Sequence, residues 1–248
     1  MNKIVIILAG GLGKRMESDL PKVCHKFNSV PMIVRVMSES LKTNPLKIFI
    51  VVGKYKNIIK ETLFRYNIIE NQSYEFVIQS EALGTGHAVL CAREKLLNFK
   101  NVNTIILCGD IPLIDNILIN KIGSNVDNIK CLTTEYKDPK TYGRIIRKNG
   151  YFEKITEFKD CTEDEKEIKE VNCGIYCINS NLLIKYLPMI NNNNKQNEYY
   201  LTDIIELIKQ NENINIDTLI LPEDKQHLVE GINSKDELIS LEKKFQTF

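Results

Sequence analysis

The sequence predicts an α/β protein, a three-layer αβα sandwich around an open, mostly parallel sheet with helices on both faces. Three observations carry this. Ile4–Leu8, Lys47–Gly53, Phe76–Gln79 and Asn103–Cys108 are short apolar runs rich in β-branched residues, the pattern of strands buried on both faces. Stretches of helical spacing alternate with them, as crossovers between parallel strands require. The unusual segments Gly10–Lys22, Gln79–Gly86 and Gly109–Pro112 each follow a strand directly, at the sheet edge where such folds bind ligands.

In order, Ile4–Leu8 opens the chain and breaks into Ala9-Gly10-Gly11-Leu12-Gly13. Val30-Pro31-Met32-Ile33 starts a helix with Ile33, Val36, Met37 and Leu41 on one stripe. Lys47–Gly53 is a second strand, Ile58–Tyr66 a second helix, Phe76–Gln79 a third strand. A helix from about Gly86 to Leu97 leads to the Asn103–Cys108 strand. From Ile129 the pattern changes. Ile129–Glu135, Tyr142–Arg147 and Tyr151–Thr156 read as shorter strands, the last two joined at Asn149-Gly150, a strong hairpin signal. Asp160–Lys169 reads as a solvated helical turn, Val171–Ile178 as a strand, and Asn181–Tyr186 as a helix. Asn191–Asn194 reads as a loop, Tyr199–Gln210 as an amphipathic helix, Ile214–Leu221 as a strand and Lys235–Phe245 as a closing helix. The expected organisation is one domain over 1–248, in two halves, 1–128 and 129–248.

The loop after the first strand is nearly free of side chains. That suits a charged group lying against backbone N–H groups, where a Cβ would hold it away. Lys14, Arg15 and Lys22 add cations, and Pro21 fixes φ just before Lys22. This is an anion site, best suited to phosphates. A Gly-x-x-x-x-Gly-Lys-[Ser/Thr] phosphate loop is absent, and Gly11-Leu12-Gly13 lacks the third glycine of the dinucleotide fingerprint.

At 248 residues the chain can bury a sizeable core. A net charge of +1 argues against a general nucleic-acid or membrane binder, and no apolar run reaches the ~18 residues of a membrane span. Seven cysteines scattered through apolar segments predict reduced core thiols in a cytoplasmic protein. Cys173 and Cys177 lack a second pair to complete a zinc set, and His25, His87 and His227 show no ligand spacing.

The stretches LAGGLGKRM with SDLPKV, QSEALGTGHAV, GDIPLI, YGRIIR, ITEFKD, VNCGIY, NEYYLTDII and VEGIN run from Leu8 to Asn233. Together, in order and spacing, they resemble the sugar-1-phosphate nucleotidyltransferases, above all the uridylyltransferase domain of the bifunctional bacterial enzyme that makes UDP-N-acetylglucosamine. The resemblance implies a Rossmann-like sheet of the nucleotide-diphospho-sugar transferase type with a smaller β-rich sugar-binding part. It implies transfer of UMP from UTP to N-acetylglucosamine-1-phosphate with Mg²⁺ as cofactor. Glucose-1-phosphate, another NTP, or a non-catalytic sugar-nucleotide sensor are the alternatives. Residue by residue, it implies Arg15, Lys22 and Asp110 as catalytic groups. Leu8, Ala9, Gly11, Lys22, Gln79, Gly84 and Thr85 would bind the nucleotide. Gly143, Glu157, Asn172, Tyr200 and Thr202 would bind the sugar, and Asp110 and Asn233 the metal. Plainer readings stand beside these: Asp110 suits a turn, Gly231-Ile232-Asn233-Ser234 suits a helix cap, Gln79 is a polar strand end, and Tyr142-Gly143-Arg144 suits a bulge. Two departures touch selectivity. Cys108 stands where the family has an aromatic, and Lys14 where it has a small hydroxyl residue. No hexapeptide repeat follows before Phe248, so acetyltransferase activity is expected to be absent. The expected oligomeric state is monomer or homodimer.

Overall fold

The computed structural model describes residues 2–11 and 13–245. Leu12 of the anion loop lies outside the described residues, as does the side chain of Lys14. Strands β1 (Lys3–Leu8), β2 (Lys47–Val52), β3 (Glu75–Ile78) and β4 (Asn103–Cys108) form a parallel run in the order β3-β2-β1-β4. Leu8 lies opposite Val51 on one side and Cys108 on the other, so the strands end level. Backbone bonds carry this register one residue further: Ala9 N to Val51 O (2.8 Å), Gln79 N to Val52 O (2.8 Å) and Gly109 N to Leu8 O (2.9 Å).

The helices are α1 (Met32–Lys42), α2 (Lys56–Phe64), α3 (Thr85–Leu90), α4 (Arg93–Leu96), α5 (Asn116–Gly123), α6 (Glu163–Lys166), α7 (Ser180–Tyr186), α8 (Asp203–Glu212) and α9 (Lys235–Phe245). Strand side chains alternate between faces, and β1 divides accordingly. Val5 and Ile7 join one core with α1, α2 and α5, while Ile4 and Ile6 join the other with α3, α7 and α8. A smaller cluster, Met16, Phe27, Met32, Ile232, Leu238 and Leu241, ties α9 to the segment after the anion loop.

The second half extends the same sheet. Strands β5 (Ile129–Glu135), β6 (Arg144–Lys148), β7 (Tyr151–Thr156), β8 (Glu170–Asn179) and β9 (Asp217–Leu221) complete it, continuing β4-β8-β5-β9. β8 is antiparallel to β4 and β5, and β9 is parallel to β5. The β6–β7 hairpin turns through Asn149 (φ 52°) and Gly150 (φ 82°), the geometry that Asn-Gly favours. Because β8 runs against β4, its N-terminal end lies beyond Cys108. There its pairing with β5 shifts between Asn172 and Tyr176, around Gly174 at φ 69°. The antiparallel strand thus delivers Asn172 to the edge where the parallel strands end.

Several elements differ from expectation. The Gly86–Leu97 helix is two short helices, α3 and α4, with a turn at Cys91-Ala92. The Tyr199–Gln210 helix begins only at Asp203, because Tyr199 bonds as extended chain: its N–H donates to Leu83 O (2.8 Å) and its carbonyl accepts from Gly86 N (2.7 Å). The last strand starts at Asp217, not Ile214, and β6 starts at Arg144, after Gly143. Helix α5 has no counterpart in the sequence reading. Its N-cap is Asp115, whose carboxylate accepts from Leu118 N at 2.7 Å.

Candidate active site

The ends of β1, β3 and β4 enclose a cleft of about 280 Å³, lined in part by Leu8, Ala9, Gly10, Gly11, Lys22, Gln79, Gly84, Thr85, Cys108 and Asp110. Every residue predicted to bind nucleotide is on this wall. A Cβ added at Gly11 would meet nothing within 4 Å, so that backbone is open to a ligand. A roomier hollow of about 470 Å³ lies elsewhere, among Tyr136, Tyr142, His227 and Phe245. It presents none of the predicted site residues, so size alone does not locate the site.

Lys22 follows Pro21 (φ −53°) at the start of a 3₁₀ turn, Lys22–Cys24. Gly13 (φ 58°) presses on it, and a Cβ at Gly13 would lie 2.7 Å from Lys22 Cβ. The Lys22 ammonium pairs with the Asp110 carboxylate and donates to Asn233 Oδ1 at 2.9 Å. Asp110 and Asn233, far apart in sequence, meet because Ile232 N donates to Asp110 O at 3.0 Å. The helix-cap reading of Asn233 passes to its neighbour: Ser234 Oγ accepts from Glu237 N at 3.2 Å. Asn233 contributes only its backbone N–H, to Glu237 Oε2 at 2.6 Å, so its side chain is left for Lys22. Two oxygen donors converging on one cation are the hard set that suits magnesium. Arg15 is exposed on the Lys14–Met16 turn and is not part of the cleft wall.

Gln79 is 7% exposed. Its Nε2 lies 3.1 Å from Gly84 O and 3.2 Å from His87 Nδ1, and donation to both requires the Nε2–H tautomer of His87. Its Oε1 faces Gly10, 3.0 Å from where a Cβ would stand. His87 was not among the predicted site residues, although it lies in the same QSEALGTGHAV stretch. Gly84 (φ 113°) lines the cleft, yet its missing Cβ faces Tyr199 O at 2.6 Å. Packing of the 198–200 segment is what demands glycine there. The Thr85 hydroxyl turns to the same segment and accepts from Leu201 N at 3.1 Å. Glu198 on this segment also reaches the cleft; it lies in the NEYYLTDII stretch but was not among the predicted site residues.

The predicted sugar residues form one connected group. Asn172 N donates to Gly143 O at 2.9 Å, and a Cβ at Gly143 would lie 3.4 Å from Glu157 Oε2. Thr202 Oγ1 donates to Glu157 Oε1 at 3.1 Å. Burial pushes the Glu157 carboxyl above the usual range; Asp160 and Glu198 push the same way, against the Thr202 bond. Tyr200 is 6% exposed and its hydroxyl sits between Asp160 (3.0 Å) and Gln196 (2.8 Å). Asn172 spends both amide ends internally, on Tyr176 OH (2.6 Å) and Gly174 N (3.0 Å). Tyr200 and Asn172 therefore brace the group from behind. Cys108 joins it to the cleft, its sulfur lying 3.9 Å from Gly174 O. Burial and then Asp110 push the Cys108 thiol up to about 12, which keeps it neutral. The remaining cysteines are free too, Cys24, Cys131, Cys161, Cys173 and Cys177 buried and Cys91 partly so.

A probable UDP-N-acetylglucosamine pyrophosphorylase of Acanthamoeba polyphaga mimivirus is 42% identical over 243 residues, covering 96% of this chain and 94% of that protein. The bifunctional protein GlmU of Clostridium botulinum (strain 657 / Type Ba4) is 38% identical over 247 residues, and this chain spans 52% of its length. A crystal structure from Bacillus anthracis, provisionally named a glucose-1-phosphate thymidylyltransferase, superposes with a TM-score of 0.72 at 16% identity, covering 99% of this chain and 96% of that one; it shares the fold. No helix among the described residues is long and apolar enough to cross a membrane. The Nucleotidyl transferase family profile matches residues 4–220, and the chain belongs to that family of enzymes.

Proposed function

We propose that the chain transfers UMP from UTP to N-acetylglucosamine-1-phosphate, giving UDP-N-acetylglucosamine and pyrophosphate. The observation that carries this is the meeting of Lys22 and Asp110, both on the cleft wall, with Asn233, where Gly13 of the loop packs on Lys22. The names of the mimivirus and clostridial relatives support the substrate assignment.

The sugar phosphate is itself the nucleophile. Its second pKa is about 6, so near neutral pH it is a dianion and needs no general base. One of its oxygens attacks the α-phosphorus of UTP; the bond from that phosphorus to the bridging oxygen breaks, and pyrophosphate leaves with the electron pair. Lys22 neutralises the charge that builds on the phosphate oxygens, and Arg15 joins it by turning in from its exposed position on the Lys14–Met16 turn. Backbone N–H groups of Gly10, Gly11 and Gly13 seat the phosphates without a side chain between. Asp110 and Asn233 would hold Mg²⁺, which when bound supplies positive charge between the two reactants. Gln79 Oε1 is an acceptor, which matches the N3–H of uracil or thymine and opposes the N3 lone pair of cytosine. Glu157, held by Thr202, accepts from sugar hydroxyls or the acetamido N–H. The chain then works in the cytoplasm as a monomer or homodimer, with Gly143, Glu157 and Thr202 facing the sugar and Asn172 and Tyr200 bracing them.

Pyrophosphate release from paired NTPs and sugar phosphates, with and without Mg²⁺, tests the reading. UTP with N-acetylglucosamine-1-phosphate should outrun every other pair, CTP should fail, and Asp110→Ala should lose at least about a hundredfold. Preference for glucose-1-phosphate or dTTP would move the substrate assignment. Silence with every pair would favour a sensor.

A further inference from the structure

Lys22 stands in an unexpected place for a phosphate-binding cation. Its ammonium lies between the carboxylate of Asp110 and Oδ1 of Asn233, the two oxygens assigned to the metal above. The side chains of Lys22 and Asp110 are each 15% exposed, so water screens them little. The backbones that carry these two oxygens are placed without Lys22. Ile232 N holds the Asp110 backbone at 3.0 Å, and Glu237 holds the Asn233 backbone at 2.6 Å. A divalent ion needs the same two oxygens at ~2.0–2.1 Å, and its charge repels an ammonium beside it. The two cations exclude one another.

We infer that the Lys22 ammonium is the built-in occupant of the Asp110–Asn233 position, and that a divalent metal enters as a nucleoside triphosphate draws Lys22 off it. This rests on the metal site of the proposed function. The route lies in the loop. Gly13 packs against Lys22 Cβ, so a triphosphate seated on the backbone of Gly11 and Gly13 lies within the sweep of the flexible lysine stem. Its oxygens carry more charge than Asp110 and Asn233 together and are the stronger partner. Lys22 then reaches the phosphates, and the freed oxygens accept the metal. Metal and nucleotide favour one another by the same factor, as linkage requires.

Calorimetric titration with Mn²⁺ alone tests this on wild type, Lys22→Met, Asp110→Asn and the Lys22→Met/Asp110→Asn double variant, each checked for folding by thermal melt. Methionine keeps the stem on Gly13 and removes the charge. Lys22→Met is expected to bind Mn²⁺ about tenfold or more tightly than wild type, and both variants carrying Asp110→Asn are expected to lose the site. Wild type binding as tightly as Lys22→Met overturns the inference and leaves the metal site standing. Binding that survives in the double variant overturns the inference, and no binding by any protein overturns it together with the metal site.

Discussion

Gly84 and Gly150 separate two reasons for a glycine. Both have positive φ, 113° and 82°, but a Cβ at Gly84 would lie 2.6 Å from Tyr199 O, while one at Gly150 would meet nothing within 4 Å. Gly150→Ala should cost about 1 kcal/mol, the conformational penalty alone. Gly84→Ala should cost about 3 kcal/mol or more and weaken nucleotide binding, because the Gln79–Thr85 loop must part from the 198–200 segment. Urea unfolding and a nucleotide titration measure both; equal costs for the two variants would refute the packing argument. The glycine itself was legible in the sequence. Its opposing wall was not, since Tyr199 is over a hundred residues away in the chain.

At the scale of elements, one buried cation organises the sugar side. Arg144 opens β6 and is 2% exposed, yet its hydrogen bonds run to backbone carbonyls instead of a carboxylate. Its guanidinium donates to the carbonyls of Pro139 (3.3 Å), Lys140 (2.9 Å) and Lys166 (3.2 Å) and to that of Tyr142, and stacks 5.3 Å from the Phe158 ring centre. It thereby ties the loop before Gly143 to the end of α6. A planar fork can serve several carbonyls that an ammonium cannot reach together. Arg144→Lys should destabilise the fold by about 2–3 kcal/mol and raise the KM for the sugar phosphate more than that for the nucleotide. Steady-state kinetics with a melt on the same variant decides it; equal KM changes would count against a role specific to the sugar side. A strand bulge was the plainer of the sequence readings of Tyr142-Gly143-Arg144. The strand instead begins after Gly143, with the arginine folded inward.

For the whole molecule, the balance of 33 basic and 32 acidic residues hides an uneven distribution. Glu157, Asp160, Asp203 and Glu206 gather near one another, and Asp203 is pushed up to about 6, first by burial and then by Glu157, Glu206 and Asp160. A raised pKa means the folded chain holds this proton more tightly than the unfolded chain. The stability it brings is complete below the ordinary value of 3.8 and is lost as pH rises through about 6. Asp203→Asn should therefore stabilise the protein at pH 7 by about 1 kcal/mol. That is less than the ~3 kcal/mol of the full shift, because the site is partly solvated and the start of α8 favours the anion. Near pH 3.5 the variant should gain little. Melts from pH 3.5 to 7.5 test this; a gain that is the same at every pH would exclude proton linkage.

The fold class and the family were carried by the sequence alone, because each is a local pattern: apolar period, glycine-rich turn and motifs in register. Boundaries failed where a distant partner took over the backbone, as when Leu83 and Gly86 hold Tyr199 out of α8. Tertiary structure alone decided that Asn172 arrives on an antiparallel strand, that Ser234 and not Asn233 caps α9, and that Lys22 rests between Asp110 and Asn233. Those outcomes depend on which groups meet across the sheet edge and compete for one partner, and no local spacing encodes that competition.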